Sequence, residues 1–392
     1  MKNCVILGDS KKFSRVINSV NGRIERGVLP GVTLRVMLNG ECVLDYTAGY
    51  SNIEEKIPLR RDSVFRLASM TKPITAAAAL WCAERGKLRL SDKISKYFPA
   101  FARSRVGKLD GRGKVAALGA AEREITVEDI LTHSSGLGSG EVGDAQFASF
   151  PRAHVRTPRE AVEHYGEWLL DFSPGTSQMY SPLAALDVVA AIVEKVTDTE
   201  YESFLRERIF LPLGMTDTGY NLTEEQYGRV VKMYRLGDSA DKLEPHEMGR
   251  EGHDGFPAGA VSGCTAMFGT ACDYTRFAQM LCGDGEFGGQ RVLSPESVRL
   301  MRAPHFKNGF AGMDEYSNWG YTVRVRQRQT ENVQELSPLS YGWSGAYNTH
   351  FWVDPELKIV GVYMSNMSNA GGAGAITAFE FECDVMRSLK DK

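Results

Sequence analysis

The chain has 392 residues, more than one small core usually holds, so two subdomains or one large composite domain are expected. Apolar residues make up 43 % and charged residues 24 %, as in ordinary soluble globular proteins, and a net charge of −3 gives no signal for nucleic acid or a membrane surface. Seven cysteines at irregular spacing, with no C-x-x-C pair, read as reduced thiols. The N-terminal apolar run, Cys4 to Leu7, is too short for a secretory leader and no stretch is long enough to span a bilayer, so a cytosolic protein is expected.

In chain order, residues 10–28 carry a helical stripe of Phe13, Ile17, Val20 and Ile24. Residues 31–52 read as two strands joined at Asn39-Gly40, a hairpin turn signal. Ser63 to Leu67 leads into an alanine-rich apolar helix that starts near Ser69, includes Ile74 to Cys82 and stops before Gly86. Ser69 and Lys72 fall on one face of its first turn. A serine hydroxyl needs a proton acceptor to become a nucleophile, and a buried lysine can serve. The same S-x-x-K spacing recurs at Ser239/Lys242, in a polar stretch read as a surface loop.

Residues 88–101 read as a turn and a short amphipathic helix, and Asp110-Gly111 as a hairpin tip. A helix is predicted within 125–137, with Thr126 as its cap, and residues 138–158 as a loop near the site entrance. Further helices are predicted over 158–170, 183–196, 201–209, 272–281 and 294–301, the last with a capping box. The segment 257–269 is small and glycine-rich, suited to close backbone approach. Strands are expected over 316–327 and within 339–349, then a hairpin over 350–366 turning at Asp354-Pro355, then a closing helix over 370–390. The order implies an α/β domain made from both chain ends, residues 1–75 plus 265–392, with a mostly helical region, 76–264, inserted and the site between them.

The blocks FRLASMTKPITAAAALWCAERGKL, DKISKYFPAF, ITVEDILTHSSGL, FSPGTSQMYS, FAQMLCGDGEFGGQRVLSPESVRLM and WSGAYNTHFWVDPELKIVGV span most of the chain. Together they resemble the serine β-lactamase and penicillin-binding-protein superfamily, in particular its class C branch and the family VIII carboxylesterases. The resemblance implies the β-lactamase/transpeptidase-like fold, an antiparallel sheet flanked by helices. It makes Ser69 the acylated nucleophile, Lys72 its proton acceptor and Tyr180 a proton shuttle. It places Trp343, Ser344 and Gly345 on the substrate-lining strand, with the backbone N–H groups of Ser69 and Ala346 as the oxyanion hole.

Two positions depart from the lactamase pattern. Pro182 stands where Y-x-N has an asparagine, so no side-chain amide is there to orient Lys72 or a substrate amide. Trp343 stands where the family's lysine binds a substrate carboxylate, and an indole offers only an apolar face and one N–H donor. Both point toward neutral ester substrates.

The expected function is hydrolysis of short-chain carboxylic esters through a Ser69 acyl-enzyme. The alternatives are a β-lactamase, D-amino-acid peptidase, amide hydrolase or acyltransferase of the same chemistry, or a non-catalytic binding or sensor homologue. The partner is a small ester or amide; no cofactor, metal, nucleic acid or membrane is expected. His133 reads as a structural helix end, and a pocket role for His350 has no support. His246-Glu247 lacks a second histidine one helical turn on, because the next is at 253. Ser344, within Gly342 to Ala346, has the wrong spacing for a nucleophile elbow.

Overall fold

The computed structural model describes residues 5–237, 242–249, 255–327, 336–368, 370–371 and 375–390. Ser239 and His253 lie outside these residues.

The labelled elements are β1 (Val5–Gly8), α1 (Ser14–Glu25), β2 (Gly31–Leu38), β3 (Glu41–Asn52), β4 (Ile57–Pro58), α2 (Thr71–Glu84), α3 (Ala185–Thr197) and α4 (Ala271–Cys282). They are followed by β5 (Ser317–Trp319), β6 (Arg324–Arg326), β7 (Tyr341–Gly345), β8 (Thr349–Asp354), β9 (Ile359–Ser365) and α5 (Ile376–Lys390). The nine strands form one sheet in the order β1-β3-β2-β9-β8-β7-β6-β5, with β4 beside β3. All its pairings are antiparallel. The two ends of the chain meet at its centre, where β9 pairs with β2 from Ile359↔Leu38 to Ser365↔Val32. The hairpin turn falls at Asn39 and Gly40, both at positive φ, as a tight two-residue turn requires.

Strand alternation assigns the sheet two faces. On one face Phe13, just before α1, Val16 and Val20 of α1, and Phe381 and Val385 of α5 share a core with Leu34, Tyr46 and Trp352. On the other face Phe351, Val353, Val360 and Val362 join the larger core, which also takes in α4, α2 and α3. That core runs through residues from both the sheet and the helical region. Its middle is α2, where eleven residues are buried, Thr71 to Leu80 and Cys82. A helix this apolar all round is an interior helix. No helix among the described residues is long and apolar enough to cross a membrane.

Several local expectations are corrected. Residues 88–101 contain two 3₁₀ turns, Ile94–Lys96 and Pro99–Arg103, and not an amphipathic helix; Pro99 opens the second turn. The helix capped by Thr126 has its capping box with Asp129 but ends at Leu131. The segment read as a loop contains a helix, Glu141–Ala148. It has no local side-chain cap; the Asp171 carboxylate accepts from the amides of Ser139, Val142 and Gly143 instead. The helix at Pro295–Met301 has Ser294 as a cap, but Ser297 occupies the position where a capping box needs an acid or amide. The strand expected over 316–327 is a hairpin of β5 and β6.

Candidate active site

Ser69 sits in a 3₁₀ turn, Ala68–Met70, that runs directly into the N-terminus of α2. The Tyr274 hydroxyl donates to the Met70 carbonyl at 2.8 Å and anchors the turn. Ala68 has φ +45°, a left-handed conformation that costs an L residue about 1–2 kcal/mol. Its buried packing against Met233 and Tyr347 holds it there. Strain of this kind beside a reactive side chain is a mark of functional turns.

Lys72 is fully buried. Its Nζ lies 3.1 Å from Ser69 Oγ, 2.6 Å from the Pro182 carbonyl and 3.0 Å from the Cys264 carbonyl. Carbonyl oxygens only accept, so two hydrogens of the amine are committed to Pro182 and Cys264. The third tetrahedral direction faces Ser69 Oγ. It carries a hydrogen in the ammonium and a lone pair in the neutral amine, so loss of one proton turns the group into a base aimed at the serine. This corrects the expectation drawn from Pro182. The proline lacks a side-chain amide, yet its main-chain carbonyl orients Lys72 directly. The Cys264 carbonyl comes from the glycine-rich stretch, where a Cβ on Gly263 would fall 2.2 Å from the Leu186 carbonyl of α3. Only glycine admits that approach.

The oxygen of Tyr180 accepts the indole N–H of Trp343 at 3.2 Å. Lys72 Nζ lies 5.0 Å from the centroid of the Tyr180 ring. Trp343 therefore faces Tyr180, and Trp319 of β5 completes an aromatic wall at 4.7 Å from Trp343 and 6.0 Å from Tyr180. Sequence reading missed Trp319, because a lone tryptophan in a strand carries no signal of its own. His133 packs against Tyr180 at 4.7 Å and grips both sides of it. Its Nδ1 accepts from the Ser181 amide at 3.2 Å and its carbonyl from the Met179 amide at 2.9 Å. Burial, and then the charge of Lys72, hold its imidazole well below the usual histidine range. It is a neutral support of Tyr180, which agrees with the structural reading of this residue.

On β7, Trp343 and Ser344 point to opposite faces. Ser344 Oγ is bonded to His350 Nδ1 at 2.8 Å, and His350 Nε2 to Glu382 Oε1 of α5 at 2.9 Å. Ser344 is 4 % exposed and borders a cleft of about 30 Å³, which admits water and no ester. The hydroxyl expected to line the substrate site is thus turned away from it, because side chains alternate along a strand. The chain Ser344–His350–Glu382 has the hydrogen-bond order of a hydrolase triad, but its location makes it a brace between the sheet and α5. Gly345 lies against the turn before Ser69, where a Cβ would fall 2.3 Å from the Leu67 carbonyl. That approach brings the exposed Ala346, at the end of β7, alongside the nucleophile turn.

A rim flanks Tyr180. The amide of Gln178 donates to the Ala311 carbonyl at 2.8 Å, so the loop carrying Phe306, Phe310 and Met313 lies beside residues 177–179. Phe306 and Phe310 stack at 4.5 Å, and Met179 and Tyr316 are exposed. Among the described residues no group of three or more His, Cys, Asp or Glu could hold a metal ion. His246 bonds instead to Ser368 Oγ at 2.7 Å.

The family model described as beta-lactamase matches residues 16–379. The chain belongs to the beta-lactamase family. Protein Rv1367c of Mycobacterium tuberculosis is 33 % identical over 369 residues, covering 88 % of each chain. Lovastatin esterase of Penicillium rubens is 33 % identical over 360 residues, covering 86 % of this chain and 85 % of its own. Among solved structures, EstCE1, described as a hydrolase with promiscuous acyltransferase activity, superposes with a TM-score of 0.79. It is 22 % identical, and the match covers 97 % of this chain and 99 % of EstCE1, so it speaks for the fold. The beta-lactamase family places the chain in a serine hydrolase superfamily with esterase and acyltransferase relatives, the latter including acyltransferase calJ of Penicillium decumbens, 25 % identical over 368 residues.

Proposed function

We propose that the protein is a serine carboxylesterase of the family VIII type, acting on neutral esters with apolar acyl groups. The observation that carries this reading is the placement of Lys72. Two carbonyls hold its Nζ so that the remaining direction meets Ser69 Oγ at 3.1 Å. In the proposed cycle, Ser69 Oγ attacks the ester carbonyl and its proton passes to the Lys72/Tyr180 couple. The carbonyl oxygen becomes an oxyanion, held by the backbone N–H groups of Ser69 and Ala346 at the positive end of α2. Collapse breaks the ester C–O bond, and the couple returns the proton to the departing alkoxide. Water then attacks the acyl-Ser69 carbonyl and gives a proton to the same couple; collapse breaks the acyl C–Oγ bond, the couple returns the proton to Ser69 Oγ, and the acid leaves.

Substrate preference follows from the aromatic wall. Trp343 supplies an apolar face and uses its N–H on Tyr180, so it offers no cation to a substrate carboxylate. The loop of Phe306, Phe310 and Met313 adds apolar surface beside Tyr180. The names of lovastatin esterase and EstCE1 support ester chemistry, and that of EstCE1 supports transfer of the acyl group to an alcohol as a companion reaction.

The test is steady-state hydrolysis of p-nitrophenyl acetate, butyrate and octanoate beside nitrocefin, in wild type and Ser69→Ala, with and without an added alcohol. Fast ester turnover, slow nitrocefin turnover and loss of both in the variant are expected. Nitrocefin turnover faster than every ester would make the protein a lactamase. New ester formed with the alcohol, in preference to free acid, would make transfer the main reaction.

A further inference from the structure

The surroundings of Lys72 contain a carboxylate that the cycle above leaves without a task. Asp187 lies on α3 and is 1 % exposed. Its Oδ1 accepts from Ser262 Oγ at 2.6 Å and from the Gly263 amide at 2.7 Å, and its Oδ2 accepts from the Tyr165 hydroxyl at 3.2 Å. A carboxylate in an interior is costly, and it persists where fixed donors and a nearby cation compensate it. These donors belong to the segment that serves Lys72. Ser262 Oγ accepts in turn from the amides of Cys264 at 3.0 Å and Thr265 at 3.3 Å. Three successive carbonyls of the segment accept bonds: Ser262 from the Tyr220 hydroxyl, Gly263 from Thr75 Oγ1 at 2.7 Å, and Cys264 from Lys72 Nζ at 3.0 Å.

We infer that Asp187 is a positioning residue for the nucleophile. It fixes residues 262–264 so that the Cys264 carbonyl holds Lys72 Nζ against Ser69 Oγ. The inference rests on the reading of Ser69, Lys72 and Tyr180 given above.

The groups around Asp187 leave it and Lys72 as the charges that matter. Burial pushes the phenols of Tyr165, Tyr201 and Tyr220 and the thiol of Cys264 upward, so all four are neutral in the working range. His133, which also feels Lys72, is held neutral. Burial raises the Asp187 carboxyl to about 6, against the pull of Ser262, Gly263, Tyr165 and the charge of Lys72. At neutral pH it is therefore ionised.

Asp187→Asn separates charge from geometry. The amide oxygen keeps the bonds from Ser262 and Gly263, and the NH₂ group faces the Tyr165 oxygen. Asp187→Ala removes the bonds as well. The readout is the rate at which a p-nitrophenyl alkylphosphonate labels Ser69, followed from pH 4.5 to 9. In that step the Ser69 O–P bond forms, the bond from phosphorus to the nitrophenolate breaks, and the serine proton goes to the Lys72/Tyr180 couple. For Asp187→Asn the plateau rate is expected within about tenfold of wild type, because the amide oxygen keeps the bonds from Ser262 and Gly263. For Asp187→Ala the plateau is expected to fall about 100-fold. Wild type labelled at Ser69, with Asp187→Ala labelled as fast as Asp187→Asn, overturns this inference alone. Wild type that is not labelled at Ser69 overturns the reading of the nucleophile and this inference with it.

Discussion

At the scale of single residues, the proposed preference for neutral esters turns on Trp343. Its N–H donates to the oxygen of Tyr180 at 3.2 Å and fixes the orientation of the phenol. Trp343→Phe keeps an aromatic face and removes the donor. An ordinary hydrogen bond contributes about 0.5–1.5 kcal/mol, so kcat/KM on p-nitrophenyl butyrate is expected to fall about threefold to tenfold. An unchanged kcat/KM in Trp343→Phe would mean that the indole N–H takes no part in holding Tyr180. Trp343→Lys is expected to raise the capture of carboxylate-bearing β-lactams relative to neutral esters; a constant ratio of the two would place the residue outside the substrate site. Pro182 carries a parallel lesson. Loss of the asparagine amide does not leave Lys72 unguided, since a main-chain carbonyl needs no particular side chain.

At the scale of elements, α5 is held to the sheet by a polar chain. Burial raises the Glu382 carboxyl, but the bond and charge of His350, then the charges of Arg326 and Arg324, outweigh it and leave the group below its ordinary value of 4.5. A carboxyl with a depressed folded pKa stabilises the native state above its unfolded value and loses that contribution as pH falls through the folded one. Glu382→Gln is therefore expected to cost about 2 kcal/mol at pH 7 in urea unfolding. The gap to wild type should narrow below pH 4.5. A gap independent of pH would remove the charged bond from the account. Elements whose signals are local were legible in the sequence: the Asn39-Gly40 hairpin, the Thr126 cap, and α2 with its run of alanines. The helix at Glu141–Ala148 was not, because its cap is Asp171, about thirty residues away and brought near only by folding. The β5–β6 hairpin was read as one strand because its turn, Gly320 to Val323, lies within an aromatic and β-branched run. In the site, Ser69, Lys72, Tyr180 and Trp343 were legible through the resemblance of whole blocks. The face to which Ser344 turns, and the service of Trp319, His133 and Asp187, depend on strand pairing and helix packing that no single motif encodes.

At the scale of the whole molecule, both chain ends build the sheet, and the nucleophile helix lies in the core between that sheet and the helical region. The arrangement fixes Ser69 from several directions. The α2 terminus lies beneath it, β7 passes beside it, and residues 262–264 and Pro182 grip Lys72 from the helical region. Few of these contacts are close in sequence, so the site exists only in the folded chain. Partial unfolding should therefore abolish labelling of Ser69 before it exposes the whole core. The central claim is the covalent Ser69 intermediate. Its most direct measurement is rapid quenching of the protein with p-nitrophenyl octanoate, followed by intact-mass determination and peptide mapping. The expected result is one acyl group on the peptide that contains Ser69, absent in Ser69→Ala. An acyl group on another residue, or ester turnover that survives in Ser69→Ala, would contradict it.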